Sequence, residues 1–248
     1  TLSDLGGEAS KEFTYTIHES SKAASGWTNA PDKTVTVKVT DDGSGTLKVQ
    51  YDGQDTFTVP TMTNTYGATG KAELSILKAL STGAKPAAGK YTFELEDSEG
   101  KALQTKSNDA DGKVTFDAIT YTLSDLGGEA SKKFTYRIHE SSAAASGWTN
   151  APDKTVTVTV TDDGSGTLKV QYDGQDTFTV PTMTNTYAAA GSAQLSLTKT
   201  LSTGAKPEAD KYEFQLKEGD TVLQTKKNDV NGNVTFDAIT YTLSDLGG

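Results

Sequence analysis

The chain has no cysteine among its 248 residues, so neither a disulfide framework nor a thiolate metal site is open to it. Histidine occurs only as His18 and His139, at equivalent places in a repeat, which leaves no basis for a histidine metal centre. Both alternate away from the apolar face of their strands and are expected at the surface. Arginine occurs once, as Arg137, and the net charge is −10. That balance excludes the clustered cationic surface that nucleic acid or an anionic membrane requires. No apolar run approaches the length of a bilayer-spanning helix, so no membrane insertion is expected. There is no Ser/His/Asp nucleophile arrangement and no glycine loop suited to cradling phosphate. A turnover enzyme is not expected, and no cofactor is called for.

What is abundant is threonine, glycine, valine, aspartate and tyrosine, a composition that favours many short exposed strands over helices. The dominant feature is internal repetition. Residues 1–66 return as 122–187 with differences only at Glu12/Lys133, Thr16/Arg137, Lys22/Ala143 and Lys38/Thr159. Residues 73–121 return more loosely as 194–241, one residue shorter near Gly219. A period of about 121 residues suits one β-sandwich and is far too long for a solenoid unit. The small-residue segments 67–71 and 188–192 are expected to be linkers. Residues 1–66 then form the C-terminal part of a preceding repeat, 72–187 a complete domain, and 193–248 the N-terminal part of a following one. Both ends of the chain read TLSDLGG and fall inside a repeat, so the sequence is expected to be a piece of a longer array.

Within 72–187, alternation predicts strands over 74–80, 91–95, 114–118, 134–140, 156–160, 168–172, 178–180 and 183–187. Gly/Asp clusters at 97–100, 108–112, 162–166 and 172–174 predict the turns between them. The expected fold is all-β, an antiparallel immunoglobulin-like sandwich repeated in tandem. The 108–112 cluster, Asn-Asp-Ala-Asp-Gly, lacks the later glutamate of a calcium loop and is expected to be a hairpin turn. Trp27 and Trp148 sit in loops before strands and are expected to pack across a sandwich end rather than stack on a sugar.

Three polar residues break the pattern. In FTYRIHE, Phe134, Tyr136 and Ile138 share a face, and Glu140 continues it. Lys78 stands among Leu74, Ile76 and Leu80, and Asn185 between Met183 and Tyr187. They lie on the first, a middle and the last strand of one domain. The flanking copies repeat them in part, as Glu19 and Asn64 before and Lys199 after. A buried Lys–Glu ion pair completed by asparagine would account for them, as would polar groups reaching water at strand edges. Burial, however, pushes lysine towards the neutral amine and glutamate towards the neutral acid. A neutral amine is a nucleophile, an asparagine carbonyl an electrophile, and a protonated acid can polarise that carbonyl and shuttle protons. On this third reading the product would be a Lys–Asn amide, formed once with loss of ammonia.

The segments LKALSTGAKPAAGKYTFELED, KSNDADGKVTFDAITY, FTYRIHE, TVTVTVTDDGSGTL and MTNTY resemble the Gram-positive pilin isopeptide-linkage domain. That family is related to the CnaB-type sandwiches of streptococcal pilin shafts and other cell-wall-anchored surface proteins. The resemblance covers 72–187 and both flanking copies. It implies that Lys78 is the nucleophile, Asn185 the electrophile and Glu140 the promoting acid of a spontaneous isopeptide bond. Glu19, Asn64 and Lys199 are then unpaired equivalents. It also implies an extracellular structural stalk repeat whose partners are neighbouring repeats. The partial copies could complement one another head to tail between molecules, Lys199 of one meeting Glu19 and Asn64 of the next. The competing function is an adhesin module binding a carbohydrate or a host protein, its ligand unidentified.

Overall fold

A computed structural model describes residues 1–247, which divide into two compact units. The first comprises Thr1–Lys78, Ala87–Ser141 and Pro152–Met183. The second comprises Ala79–Pro86, Ser142–Ala151 and residues from Thr184 onward. The regular structure of both is almost wholly antiparallel strands, the all-β immunoglobulin-like class expected, with helix confined to single turns such as Leu123–Leu126.

The first unit centres on a five-stranded sheet. Its order is Leu168–Tyr172, Lys154–Asp162, Ser131–Glu140, Thr92–Glu96 and Ala102–Ser107. Ser131–Glu140 lies in the middle of this sheet, and its alternation puts Tyr136, Ile138 and Glu140 into the core. Glu140 faces Phe93 in register, and Phe134 faces Val158. Phe93, Leu95, Ile138, Val158 and Val160 are buried on this sheet. Leu74, Ile76 and Val114 are buried from the segment in which Ser75–Leu80 pairs with Lys113–Thr115. Residues 1–66 carry the corresponding three-stranded sheet, Ser10–Ile17, Lys33–Asp41 and Leu47–Tyr51.

In the second unit, Ala190–Ala193 pairs with Ile239–Thr242, Ser196–Thr198 with Asn233–Thr235, and Glu213–Glu218 with Thr221–Lys227. Val234 and Phe236 are buried there. Trp148–Thr149 pairs with Thr186 and Tyr187, and the Ser81 N–H donates to the Asn185 carbonyl at 2.9 Å.

Several sequence expectations are corrected. Residues 67–71 are not a free linker, because Thr69–Ala72 is a strand paired with Ile119–Thr122. Glycine makes this fit, since a Cβ on Gly70 would lie 2.7 Å from the Leu168 carbonyl oxygen. Ala190–Ala193 is likewise a strand within the second expected linker. Residues 178–180, expected as a strand, form none, and Pro181 after them has no N–H to donate to a ladder. Phe178 instead packs on Tyr172, ring centroids 5.3 Å apart. The edge strand Ala102–Ser107 was not expected, because its mostly polar, exposed residues show no apolar alternation. Trp27 and Trp148 each open a two-residue strand and pack on Tyr66 and Tyr187.

Two buried hydroxyls tie the core of the first unit together, Tyr121 and Tyr136, 2.7 Å apart. Burial pushes both phenols above the ordinary value of 10.0, Tyr121 the further. Below that value both are protonated in the folded and the unfolded chain, and their contribution is fully present. Above it the unfolded chain ionises while the fold resists, so stability is lost as pH rises. Thermal unfolding from neutral to strongly alkaline pH should show this loss, with a shallower slope in Tyr121→Phe. At neutral pH that variant should cost about 1–2 kcal/mol for the stranded Tyr136 hydroxyl.

Candidate functional site

The structure buries all three pattern-breaking residues of the complete repeat, Lys78 to 1%, Glu140 to 3% and Asn185 to 2% exposure. None sits at a wet strand edge. In the first unit, Lys78 Nζ donates to Glu140 Oε2 at 2.8 Å. The lysine reaches the core because its strand alternates with Ile76, and its ammonium lies over the Tyr91 ring at 4.9 Å. Burial lowers the Lys78 pKa from its ordinary value, opposed by the hydrogen bond and the charge of Glu140. The group is thus pushed towards the neutral amine.

In the second unit, the Asn185 amide is held in one orientation. The Ala151 N–H donates to Asn185 Oδ1 at 2.7 Å. Asn185 Nδ2 donates to Asn150 Oδ1 at 3.2 Å, and Asn150 Nδ2 donates to the Ser142 carbonyl at 2.7 Å. A backbone N–H can only donate, so the carbonyl oxygen of Asn185 is unambiguous. A donor aimed at that oxygen polarises the carbonyl and stabilises charge that develops there during nucleophilic attack.

The preceding copy shows another part of the arrangement. Asn64 Nδ2 donates to Glu19 Oε1 at 3.0 Å, and Ala30 N–H donates to Asn64 Oδ1 at 2.8 Å. Asn64 and Ser21 hold Glu19 below the usual carboxylate range. Among the described residues no lysine is hydrogen-bonded to this pair. Lys199 in the following copy repeats the placement of Lys78 over an aromatic ring, 5.0 Å from the centroid of Tyr212.

Sequence reasoning missed Asn150 and the Ala151 N–H. Asn150 lies in the repeated Ser-Gly-Trp-Thr-Asn segment, where only the tryptophan drew attention, and a backbone donor leaves no mark in sequence. His139 and His18 are at the surface, paired with Asp153 and Asp32. Arg137 bridges Glu96 and Asp153. The 108–112 segment is a turn but not the hairpin expected, because it joins Ala102–Ser107 to Lys113–Thr115, which lie in different sheets. Buried Asn108 is consumed by it, accepting from the Tyr91 N–H and donating to the Ala87 and Asp109 carbonyls. Among the described residues no cluster of acidic or histidine side chains suits a metal, and no helix is long and apolar enough to cross a membrane.

The family model for FctA, the Spy0128-like isopeptide containing domain, matches residues 2–67 and 74–188. No curated protein sequence matches the chain. Among solved structures, a streptococcal ancillary pilin is 12% identical with a TM-score of 0.27, covering 85% of this chain and 70% of its own. The Bacillus anthracis TIE protein is 13% identical, also with a TM-score of 0.27, covering 93% of this chain and 43% of its own. At that TM-score neither carries an argument about this chain.

Removing Glu140 would leave a lysine buried without its carboxylate, whereas Glu19 has no lysine to strand. Glu140→Ala should therefore lower stability by about 3–5 kcal/mol in urea denaturation, while Glu19→Ala should leave it nearly unchanged.

Proposed function

The chain belongs to the family of Spy0128-like isopeptide containing domains, and we propose that it is a shaft or stalk repeat whose complete copy welds itself shut between Lys78 and Asn185. The observation that carries this reading is the Lys78–Glu140 pair taken with its repeat. Lys78 touches Glu140 in one copy, and Glu19 touches Asn64 in another. Near-identical sequence in the two copies supports superimposing the two contacts, which gives one glutamate between a lysine and an asparagine. Backbone bonds from Leu77 to Pro181 and from Ser81 to Asn185 flank Lys78 with the same sequence offset, in keeping with that arrangement.

In the proposed reaction, neutral Lys78 Nζ attacks Asn185 Cγ, and negative charge gathers on Oδ1 facing the Ala151 N–H. Glu140, holding the proton that Lys78 gave up, passes it to Asn185 Nδ2 and takes one in return from the attacking nitrogen. The Cγ–Nδ2 bond then breaks, and ammonia leaves as the Nζ–Cγ amide closes. The step happens once and needs no cofactor. The bond closes a loop of about 100 residues, which removes unfolded-state entropy on the order of 4–5 kcal/mol by the disulfide argument. Tension entering at one end of the repeat then crosses a covalent link instead of the sheet's hydrogen bonds. Such a repeat suits the outside of a Gram-positive cell, anchored through its parent protein to the wall.

The partial copies support a second, intermolecular use of the same chemistry. Leu195, Leu197, Tyr15 and Ile17 are exposed, while their counterparts Leu74, Ile76, Tyr136 and Ile138 are buried in the complete copy. One chain's following copy and another's preceding copy would bury these surfaces together and bring Lys199 to Glu19 and Asn64.

Intact mass tests the reading. The purified monomer should weigh one ammonia less than its sequence, and both Lys78→Ala and Glu140→Ala should restore the full mass. A wild-type monomer at full mass contradicts the proposal.

A further inference from the structure

The repeat presents one surface twice, once covered and once open. In the covered instance, the Tyr66 hydroxyl donates to Asp162 Oδ1 at 2.7 Å and accepts from the Gly166 N–H at 3.3 Å. Ser25 Oγ donates to the Ser165 carbonyl. The two backbones abut through glycines, because a Cβ on Gly26 would fall 2.5 Å from Gly166 Cα, and one on Gly166 would fall 2.5 Å from Gly26 N. This is a joint between the last strand of one repeat and the Asp-Asp-Gly-Ser-Gly turn of the next. Beside it lies a groove of about 370 Å³.

The counterparts of Ser25, Gly26 and Tyr66 are Ser146, Gly147 and Tyr187, and among the described residues no Asp-Asp-Gly-Ser-Gly turn is hydrogen-bonded to them. The nearest atoms to a Cβ on Gly147 would be those of Tyr187 and Ala188. Tyr187 is 38% exposed and borders a groove of about 420 Å³ with Ala188, Ala189, Thr242, Leu243 and Ser244. The counterpart of the covering turn is 41–45, and Gly43 and Gly45 have nothing within 4 Å of an added Cβ.

Both open halves already have the shape of the closed joint. Trp148 and Tyr187 pack at 5.2 Å and 41°, against 5.3 Å and 43° for Trp27 and Tyr66. Gly43 N–H donates to Asp41 Oδ1 at 2.9 Å, as Gly164 N–H does to Asp162 Oδ1 at 3.0 Å. The φ angles of Gly43 and Gly45 are 76° and 84°, and those of Gly164 and Gly166 are 79° and 85°. Little ordering remains to be done when two such surfaces meet.

From this occupied duplicate we infer that the groove around Tyr187 is a docking site for the Asp-Asp-Gly-Ser-Gly turn at 41–45 of a second copy of this chain, joined head to tail. The Tyr187 hydroxyl donates to Asp41 of the partner and accepts from the Gly45 N–H, while Ser146 reaches the Ser44 carbonyl. The backbones meet glycine to glycine, so the joint fixes the angle between successive repeats. The site shares no residue with the Lys78–Glu140–Asn185 chemistry and does not depend on it.

Sedimentation velocity of the full chain over a concentration series tests the docking. Self-association is expected, weakened about tenfold by Tyr187→Phe through loss of one hydrogen bond to a carboxylate. Asp41→Ala should weaken it at least as much. Tyr66→Phe should leave it unchanged, because the partner of Tyr66 is Asp162 of the same chain. A chain that stays monomeric at every concentration would overturn the inference. So would association indifferent to Tyr187→Phe and Asp41→Ala, which would assign it to the apolar faces of the partial copies instead.

Discussion

A lysine ammonium and a glutamate carboxylate sealed in a β-sandwich core form the constraint on which this repeat depends. Lys78 and Glu140 have side chains 0% and 1% exposed and stand 2.8 Å apart. Desolvating two charges costs several kcal/mol each, and their mutual attraction seldom returns much more than that. Apolar residues of the same size would serve stability as well. Here burial lowers the lysine pKa, opposed by the hydrogen bond and the charge of Glu140, and the proposed cross-link would use that burial. The surrounding core supplies that environment. Phe93 faces Glu140 across the sheet, Tyr91 lies under the ammonium, and no buried polar side-chain atom among the described residues lacks a hydrogen bond.

The second ingredient is orientation. An asparagine amide can be attacked only if its carbonyl is polarised and its nitrogen is placed to depart. Ala151 N–H and Asn150 Oδ1 hold the two ends of the Asn185 amide, in the sense the proposed attack would need. The equivalent hold on Asn64 by Ala30 shows that this cradle forms without any lysine. The hold on the asparagine amide is therefore a property of its own copy and needs no lysine. Glu19 and Glu140 sit in almost identical local sequence, yet one meets an asparagine without a lysine and the other a buried lysine. Tertiary context sets the task of the acid.

Much of this was legible before any coordinates. Strict alternation in FTYRIHE placed Glu140 in the core, and the same two-residue period placed Lys78 and Asn185, because a strand's faces follow from parity alone. The repeat exposed which residues recur as a set. What sequence could not carry were features whose physics lies in the backbone. The Ala151 N–H has no side chain to flag it. Gly70 looked like a linker residue, but its missing Cβ makes room for Leu168, so a small-residue stretch became a strand. Residues 178–180 kept the alternation of a strand but form none. Ala102–Ser107 paired without the alternation, since an edge strand needs only a neighbour's free N–H and C=O groups. Gly26 and Gly166 read as turn residues, and only their mutual approach revealed a joint.

A self-welded repeat requires that the amide close between Lys78 and Asn185. Exhaustive proteolysis of the denatured monomer, with fragment sequencing by mass spectrometry, addresses this directly. A branched peptide joining the segment around Lys78 to the segment around Asn185, lighter by one ammonia than its two parts, is the predicted result. Recovery of those two segments only as separate linear peptides, with Lys78 and Asn185 intact, would contradict it.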